Sequence, residues 1–366
     1  MKNFYLKNRH NSIRIAILLG VLSLLFWVGC NKEFTSPDNL GQDPELLTRS
    51  NPEVLDVINT QNRNQENLMS RQGVVGVATG ATEAGEPVIL IMVKDETSAS
   101  LLPPAVDGVP IVVLVTGEIK ALKGPPGGSG GGGGPSFDPT IKHRPAPNGV
   151  SIGHPDITAG TLGCIVADAG KTYILSNNHV MANENQASIN DDIYQPGPYD
   201  GGQASDAIAR LSAFKPIVFS TSANNVIDAA IAEVNSADVT GATHPDANSY
   251  GAPLSTTVEA AIRMQVQKYG RTTQHTSGKV QGINATVNIG YDSGTARFVN
   301  QIVIGGGNYS AGGDSGSLIV AQKGQDDRKP VGLLYAGGFN VTIANPIDDI
   351  LSEFSVQVVS GIEGSN

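Results

Sequence analysis

One stretch limits what this chain can fold into more than any other. Residues 124–135 read Gly-Pro-Pro-Gly-Gly-Ser, then five glycines and a proline. Such a tract has no side chains with which to build a core, so it behaves as a flexible linker. Three more prolines follow within residues 136–150. We therefore predict a linker over 124–150, open to proteolytic nicking, that separates two folded parts.

The part after the linker is predicted to be a mainly β domain over residues 151–360. Short runs rich in Val, Ile and Thr recur there between Gly, Asn, Asp and Pro. This texture is typical of an all-β barrel or sandwich. Stretches with helical spacing are few, and one of them, Pro346–Phe354, comes near the end of the chain.

The part before the linker, residues 51–123, is predicted to be a small α+β domain. Apolar residues have helical spacing over Pro52–Met69, and Asn51 is a plausible N-cap for that helix. No catalytic constellation occurs in this part, which leaves a propeptide, an adaptor and a folding aid open as its role. Strand-like runs follow the helix at Val74–Thr79, Pro87–Val93 and Pro110–Thr116.

The N-terminus has the form of a secretory signal over residues 1–29. It carries four basic residues and no acidic one, and its apolar run, Ile15–Val28, is short for a membrane span. A glycine directly before Cys30 resembles the lipobox of bacterial lipoproteins, although Trp27 stands where Leu is usual. We predict that Cys30 is lipidated and that residues 30–50 form a polar tether. An ordinary signal with a chance cysteine, or an uncleaved anchor, is the alternative.

Charge and cysteine content exclude several partners. Removing residues 1–29 takes away four of the 24 basic residues and none of the 34 acidic ones, which leaves a net charge of about −14. That charge disfavours nucleic acids and anionic membrane surfaces, so contact with a membrane is expected only through the lipid anchor. Cys164 is then the one internal cysteine, without a disulfide partner, and its strand pattern predicts a buried apolar role.

A glycine-rich turn, Gly312–Ser317, is the first candidate for chemistry. Its glycines let backbone N–H groups approach a substrate, and Ser315 can expose its hydroxyl, as acyl transfer requires. The same residue types also make ordinary hairpin turns. The choice between the two depends on a base and an orienting acid elsewhere in the chain.

Two residues supply that base and acid. His179 follows the strand-like run Thr172–Leu175, where a scaffold can fix its ring. Asp228 is a lone carboxylate in an apolar run, and burying such a charge is costly unless it is paired. Asp206 is the second candidate for the acid, because an apolar run also follows it. A histidine needs such an acid to hold its tautomer and stabilise the imidazolium.

The order His179, Asp228, Ser315 is that of the chymotrypsin arrangement. Around these residues the chain resembles the trypsin/chymotrypsin-like serine proteases over about residues 150–355. In style it is similar to bacterial relatives of the plant narrow-leaf protein. The motifs that carry the first resemblance are Leu175–Val180, Asp228–Ile231 and Gly313–Ser317. Those that carry the second are Thr161–Gly163, Gln195–Gly197 and Gly270–Thr273.

The resemblance implies a chymotrypsin-like double six-stranded β-barrel with the triad in the cleft between the barrels. His179 would be the general base and then acid, Asp228 would orient it, and Ser315 would be the nucleophile. The backbone N–H groups of Gly313 and Ser315 would form the oxyanion hole. Val180 stands where many animal members have a bridged cysteine, so that bridge is absent.

Specificity is predicted from two places. A preference for Lys or Arg would need an acid six residues before the nucleophile, but Tyr309 stands there. A pocket wall that pairs with the substrate backbone by strand addition is expected around Tyr335, Ala336 and Gly337. An apolar or small preferred residue follows from these two observations.

Other function classes have less support. The histidines are scattered and no metal-ligand spacing occurs, so neither a metal nor another cofactor is expected. A non-catalytic surface lipoprotein that uses a protease-like fold for protein binding, and an esterase with the same triad, remain alternatives to a serine endopeptidase. We expect an exported bacterial protein, lipid-anchored towards the periplasm or cell surface or else secreted, that acts on a peptide or protein substrate.

Overall fold

The structure is a computed structural model that describes residues 45–124 and 137–361. The predicted signal peptide, Cys30, most of the tether and most of the glycine tract lie outside the described residues. Among the residues that are described, no helix is both long and apolar enough to cross a membrane.

The N-terminal helix, α1, spans Pro52–Met69, as the apolar spacing predicted. The side chain of Asn51 caps it by accepting hydrogen bonds from the N–H groups of Glu53 and Val54 at 2.9 and 3.3 Å. Proline at the first helical position adds a preset φ, so local rules fix this start. The elements that follow are β1 (Val74–Ala81), β2 (Pro87–Val93), α2 (Glu96–Ala99), β3 (Ala105–Val106), β4 (Val109–Val115) and β5 (Lys120–Ala121).

The part after the glycine tract is built mainly from strands. Its first half contains β6 (Ala146–Asn148), β7 (Ser151–Ile152), β8 (Gly160–Thr161), β9 (Cys164–Ala167), β10 (Thr172–Ser176), α3 (Asn178–Met181), β11 (Asp192–Tyr194), β12 (Ala207–Phe214), β13 (Ala230–Val234) and β14 (Val239–Thr243). Its second half contains β15 (Gln265–Gly270), β16 (Gln274–Tyr291), β17 (Gly294–Gly305), β18 (Leu318–Ala321), β19 (Pro330–Gly338), β20 (Val341–Pro346), α4 (Ile347–Phe354) and β21 (Gln357–Val358).

Two six-stranded units organise these strands, and the predicted mainly β, double six-stranded architecture is confirmed. The first is a sheet in the order β11-β12-β13-β10-β9-β21. The second runs β15-β18-β19-β20-β17-β16 and closes into a barrel, because β15 also pairs with β16. Closure removes the free edges of these strands, and the apolar side chains inside it form a core.

The N-terminal strands extend the sheet of the second barrel. β1 pairs antiparallel with β16, then β2 pairs with β1, and β4 pairs parallel with β2. Helix α1 packs on this extension, where Val57 and Leu68 join the apolar cluster of β1 and β2. The helix and strands lie where the sequence indicated, but the sequence did not reveal that their sheet continues into the barrel.

Residues 137–150 are packed, although their prolines favoured a linker. Phe137 is buried and its ring stacks on that of His244 at 4.3 Å. Ala146–Asn148 forms β6, which pairs parallel with β14. One aromatic anchor and one strand pairing outweigh the proline content of this stretch. Pro147 lies in β6, but β6 belongs to a two-stranded sheet and pairs only with β14, and proline is tolerated in such an edge strand.

Candidate active site

His179 and Asp228 lie together at the ends of two neighbouring strands. His179 is in the short helix α3, directly after β10, and Asp228 comes two residues before β13, which pairs with β10. Nδ1 of His179 is 2.6 Å from Oδ2 of Asp228, and the His179 backbone N–H donates to Oδ1 at 3.2 Å. Because a carboxylate only accepts, Nδ1 carries the proton and Nε2 presents its lone pair. Both residues are buried.

Three side chains that the sequence did not single out hold Asp228. The amide of Asn177 donates to the Asp228 carbonyl at 2.8 Å, and Oδ1 of Asn345 accepts from its N–H at 3.1 Å. The hydroxyl of Tyr291 donates to Oδ2 at 2.9 Å, on the oxygen that also faces His179. The carboxylate itself accepts from the ring and backbone N–H of His179 and from the Tyr291 hydroxyl, and these hydrogen bonds compensate the cost of burying it.

Tyr291 stays protonated and able to donate across the physiological pH range. Burial raises the pKa of its hydroxyl well above the ordinary value, and the charge of Asp228 raises this pKa further. Its ring also packs edge-on against that of His179, with 5.9 Å between the centroids. Asn177 lies in a motif noted in the sequence, whereas no local signal marks Tyr291, which ends the long strand β16.

The turn that carries Ser315 depends on glycine at two positions. Gly313 and Gly316 both have φ of +94°, a region that side chains with a Cβ rarely adopt. A Cβ on Gly313 would also lie 2.5 Å from Oγ1 of Thr272, and one on Gly316 would lie 2.1 Å from Oγ of Ser176. The glycines therefore let the turn fold tightly against its neighbours.

Asp314, between those glycines, is anchored by internal donors. Its carboxylate accepts hydrogen bonds from the N–H groups of Thr272, Thr273 and Ala311 at 2.9, 3.1 and 2.9 Å, and from Oγ1 of Thr273 at 2.7 Å. The ammonium of Lys268 lies 3.6 Å from Oδ2. Burial lowers the pKa of Lys268, while the charge of Asp314 opposes that change.

Ser315 is buried where the two six-stranded units meet. Its carbonyl accepts from the N–H of Thr161 at 2.8 Å, and Oγ1 of Thr161 donates to the Gly313 carbonyl at 2.9 Å. Its hydroxyl donates to the carbonyl of Tyr335 at 3.1 Å. Nε2 of His179 is buried without a hydrogen-bond partner within the described residues, so the structure joins His179 to Asp228 but not to Ser315.

A segment of the chain itself lies along β19, the predicted substrate edge. In β5, Ala121 pairs antiparallel with Ala336 and Lys120 with Gly337. The N–H of Leu122 then donates to the carbonyl of Tyr335 at 3.1 Å. Strand addition to an edge is a common way to bind an extended peptide, so this segment occupies the place of one.

The carbonyl of Leu122 reaches the predicted oxyanion hole. It accepts a hydrogen bond from the N–H of Gly313 at 2.7 Å. The Leu122 side chain lies against Gly337, where a Cβ would meet its methyl carbons at 3.2 and 3.5 Å. It packs against the same apolar cluster as Tyr309. The carbonyl that the Gly313 N–H binds thus belongs to an apolar residue.

The predicted pocket residues differ in what they present. Ala336 and Gly337 pair with the chain segment through their backbones. Tyr335 offers its carbonyl, while its ring is buried against Phe298 at 5.0 Å between centroids. Tyr309 is 2% exposed, and burial raises the pKa of its hydroxyl well above the ordinary value, so it brings no charge to this region.

For Asp206 and Cys164, the two other residues considered from the sequence, the surroundings indicate a structural role. Asp206 lies away from His179 and pairs with Lys142 at 2.7 Å. Cys164 is buried in β9, as its strand pattern predicted, and burial raises the pKa of its thiol to about 12. A thiol that stays protonated is a poor nucleophile, which fits packing rather than chemistry.

Comparison with known proteins finds similarity only at the level of solved structures. No protein-family model matches the chain, and no curated protein does. A glutamic-acid-specific serine protease is 20% identical, with a TM-score of 0.43, and the match covers 58% of this chain and 100% of that one. Protease A of Thermobifida fusca is 20% identical over 59% of this chain and 100% of that one, with a TM-score of 0.42.

A third similar structure, the Nocardiopsis protease NAPase, is 19% identical over 59% of this chain and 100% of that one, with a TM-score of 0.43. These neighbours are bacterial serine proteases. All three TM-scores are below 0.5 and the identities are near 20%, so the chemistry of the site has to follow from its own geometry.

Proposed function

We propose that this chain is a serine endopeptidase that cuts peptide bonds through an acyl-enzyme intermediate. One observation carries the proposal. A peptide carbonyl, that of Leu122, accepts a hydrogen bond from the Gly313 N–H beside Ser315. Oxyanion holes act by holding such a carbonyl oxygen while negative charge develops on it.

The proposed roles follow from the contacts. Asp228 holds Nδ1 of His179 at 2.6 Å, which leaves Nε2 to take a proton from Ser315. The Ser315 hydroxyl now donates to the Tyr335 carbonyl, so it must rotate towards His179 before it attacks. His179 then returns the proton to the leaving amine.

Two alternatives are weighed against this proposal. A non-catalytic surface lipoprotein would use the same cleft only to bind protein. The support against it is that Asp228 holds His179 in the tautomer a base needs, and that the Gly313 N–H beside Ser315 binds a peptide carbonyl. An esterase would need the same triad but no strand edge that pairs with a peptide backbone. The backbone pairing of Ala336 and Gly337 with a peptide segment favours peptide substrates.

The test uses a fluorophosphonate probe, which labels an activated serine. Because Leu122 fills the cleft, the variant Leu122→Asp is used to open it, and the double variant Leu122→Asp/Ser315→Ala is the control. Labelling of the first and not of the second is expected. Equal labelling of both, or none of either together with no peptide hydrolysis, would refute the enzyme proposal.

Export and anchoring form a separate part of the proposal, supported by sequence alone. Cleavage before Cys30 and lipidation of its thiol would place the protease outside the cytoplasm on a membrane. Radiolabelled palmitate should enter the full chain and not the Cys30→Ser variant. Labelling that persists in the variant would contradict this assignment.

A further inference from the structure

The segment in the cleft continues past Leu122 in the manner of a bound substrate. After Leu122 comes Lys123, whose ammonium lies 2.5 Å from Oε1 of Glu184 and 2.7 Å from Oδ2 of Asp292. Gly124 follows beside Ala159, whose carbonyl a Cβ on Gly124 would meet at 3.5 Å. The chain therefore crosses the whole site, with residues seated before and after the Leu122 carbonyl.

The segment is also anchored upstream. The carbonyl of Ile119 accepts a hydrogen bond from the N–H of Gly290 at 2.9 Å, and the Ile119 side chain is buried in the barrel core. Lys120 lies between two strands, next to Gly290 of β16 on one side and Gly337 of β19 on the other. Because β4 leads directly into this segment, the N-terminal strands hold it in register.

Glu184 is a site built for a basic group. Its side chain is 1% exposed, and its two oxygens accept from the N–H groups of Asp292 and Ser293 at 3.3 and 2.8 Å. It lies five residues after His179, in a loop where Asn183, Glu184 and Asn185 all have positive φ. Backbone strain of this kind persists only where surrounding contacts enforce it, and it clusters at functional sites.

We infer that Leu122–Lys123 is a self-cleavage site, and that Glu184 with Asp292 selects a basic residue directly after the bond that is cut. The inference rests on the proposed function and adds a substrate class to it. The preferred bond would join an apolar residue, seated against Gly337, to Lys or Arg.

The cut follows from the placed groups. Ser315 Oγ attacks the Leu122 carbonyl carbon and gives its proton to Nε2 of His179, while the Gly313 N–H holds the oxyanion. The bond to the Lys123 nitrogen breaks, and that nitrogen takes the proton from His179. Water then attacks the ester and gives a proton to His179, which returns it to Ser315. A carboxyl group on Leu122 and an amine on Lys123 are left.

The first experiment follows the full chain by intact mass and N-terminal sequencing. Wild type should yield a fragment that begins at Lys123, and Ser315→Ala should not. Leu122→Asp and Lys123→Glu should each slow this cut at least about tenfold. The first variant loses the apolar contact of Leu122 with Gly337, and the second loses the charge-assisted hydrogen bonds of Lys123. Leu101→Asp and Lys279→Glu make the same changes at exposed positions away from the cleft and should cut like wild type.

The rate constant of the cut should not depend on chain concentration, because the Leu122–Lys123 bond already lies in the site of its own chain. A rate constant that rises in proportion to concentration would overturn the intramolecular cut. So would a first cut at another bond, or an unchanged rate in Leu122→Asp. If the opened Leu122→Asp chain binds the probe at Ser315 but wild type is never cut after Leu122, the inference fails and the proposed function stands.

The selection of a basic residue is tested separately on peptides added to the Leu122→Asp chain. Two peptides keep Ile-Lys-Ala-Leu before the bond and carry either Lys or Gln after it. Lys should be preferred by about tenfold in kcat/KM. Glu184→Gln should reduce that preference, measured as the ratio of kcat/KM for the two peptides on the same chain, because the amide removes the negative charge that pairs with Lys. Equal preference in both chains would refute the role of Glu184.

Discussion

Replacing Tyr291 by phenylalanine is the most direct test of the proposed triad, because Tyr291 contacts its acid, Asp228. The ring and its packing remain, and only the hydroxyl that donates to Asp228 at 2.9 Å is lost. Asp228 is fully buried and no water can replace the missing donor without entering the core. A hydrogen bond to a charged group contributes about 1.5–3 kcal/mol.

The expected effect can be stated for stability and for rate. If the whole contribution is felt in the transition state, peptide hydrolysis slows by about 10- to 150-fold, because about 1.4 kcal/mol corresponds to a factor of ten. The free energy of unfolding should fall by a similar amount. We would measure kcat/KM in the Leu122→Asp background, and unfolding by urea in the Ser315→Ala background to avoid self-cleavage.

The matched control is Tyr269→Phe. The Tyr269 side chain is also buried, but its hydroxyl has no hydrogen-bond partner among the described residues. Removing an unpaired buried hydroxyl should cost nothing or stabilise the fold. If the two variants lose the same amount in rate and in unfolding free energy, the Tyr291 hydroxyl does not support Asp228 and the proposed arrangement is refuted.

Three further outcomes are expected. Gly313→Ala should reduce kcat by about 10²–10³-fold, because positive φ strains an alanine and displaces an oxyanion donor. Gly307→Ala should not, because its added Cβ would meet only Oδ1 of Asn340 at 3.8 Å, and comparable losses in the two variants would contradict this prediction. Burial raises the pKa of Glu184, but the hydrogen bonds from Lys123 and Ser293 and the charge of Lys123 together outweigh burial, so this pKa is lowered. The contact with Lys123 is therefore held above about pH 4.5 and lost as pH falls through the lowered pKa. Amide exchange of Leu122 in the Ser315→Ala chain, corrected for intrinsic rates, should speed up over that range, and a flat profile would count against the contact. Iodoacetamide at pH 8 should modify Cys164 only after denaturation, since burial raises the pKa of its thiol to about 12; rapid labelling of the native chain would contradict this.

Local sequence signals predict the elements whose ends depend on neighbouring residues. Asn51 and Pro52 start a helix by capping and by a preset φ, and α1 begins where they predict. Residue type at strand ends and turns predicts a site at His179, Asp228 and Ser315. The structure brings the first two into contact and seats the third at the junction of the two units.

Contacts between distant parts of the chain could not be read in the same way. Tyr291 and Asn345 lie 63 and 117 residues from Asp228, and each reaches it only through the register of a barrel strand. The apolar run at Pro110–Thr116 indicated a strand, but not that its continuation pairs with β19. The N-terminal part predicted from composition ends at residue 123, one residue after Leu122. Composition gives no sign that the Leu122 carbonyl lies in the cleft.

The anchoring of Asp314 decides how activity would be restrained. Its carboxylate is satisfied by Thr272, Thr273 and Ala311 and lies near Lys268, all from the interior of the chain. The turn that shapes the oxyanion donor therefore needs no newly formed N-terminus to complete it. In the proposed protease, occupancy of the cleft by Leu122 would therefore be the restraint, so displacing Leu122 without any cut should expose an active site. For the same reason, cutting the bond should release activity only as fast as the segment 118–122 leaves β19.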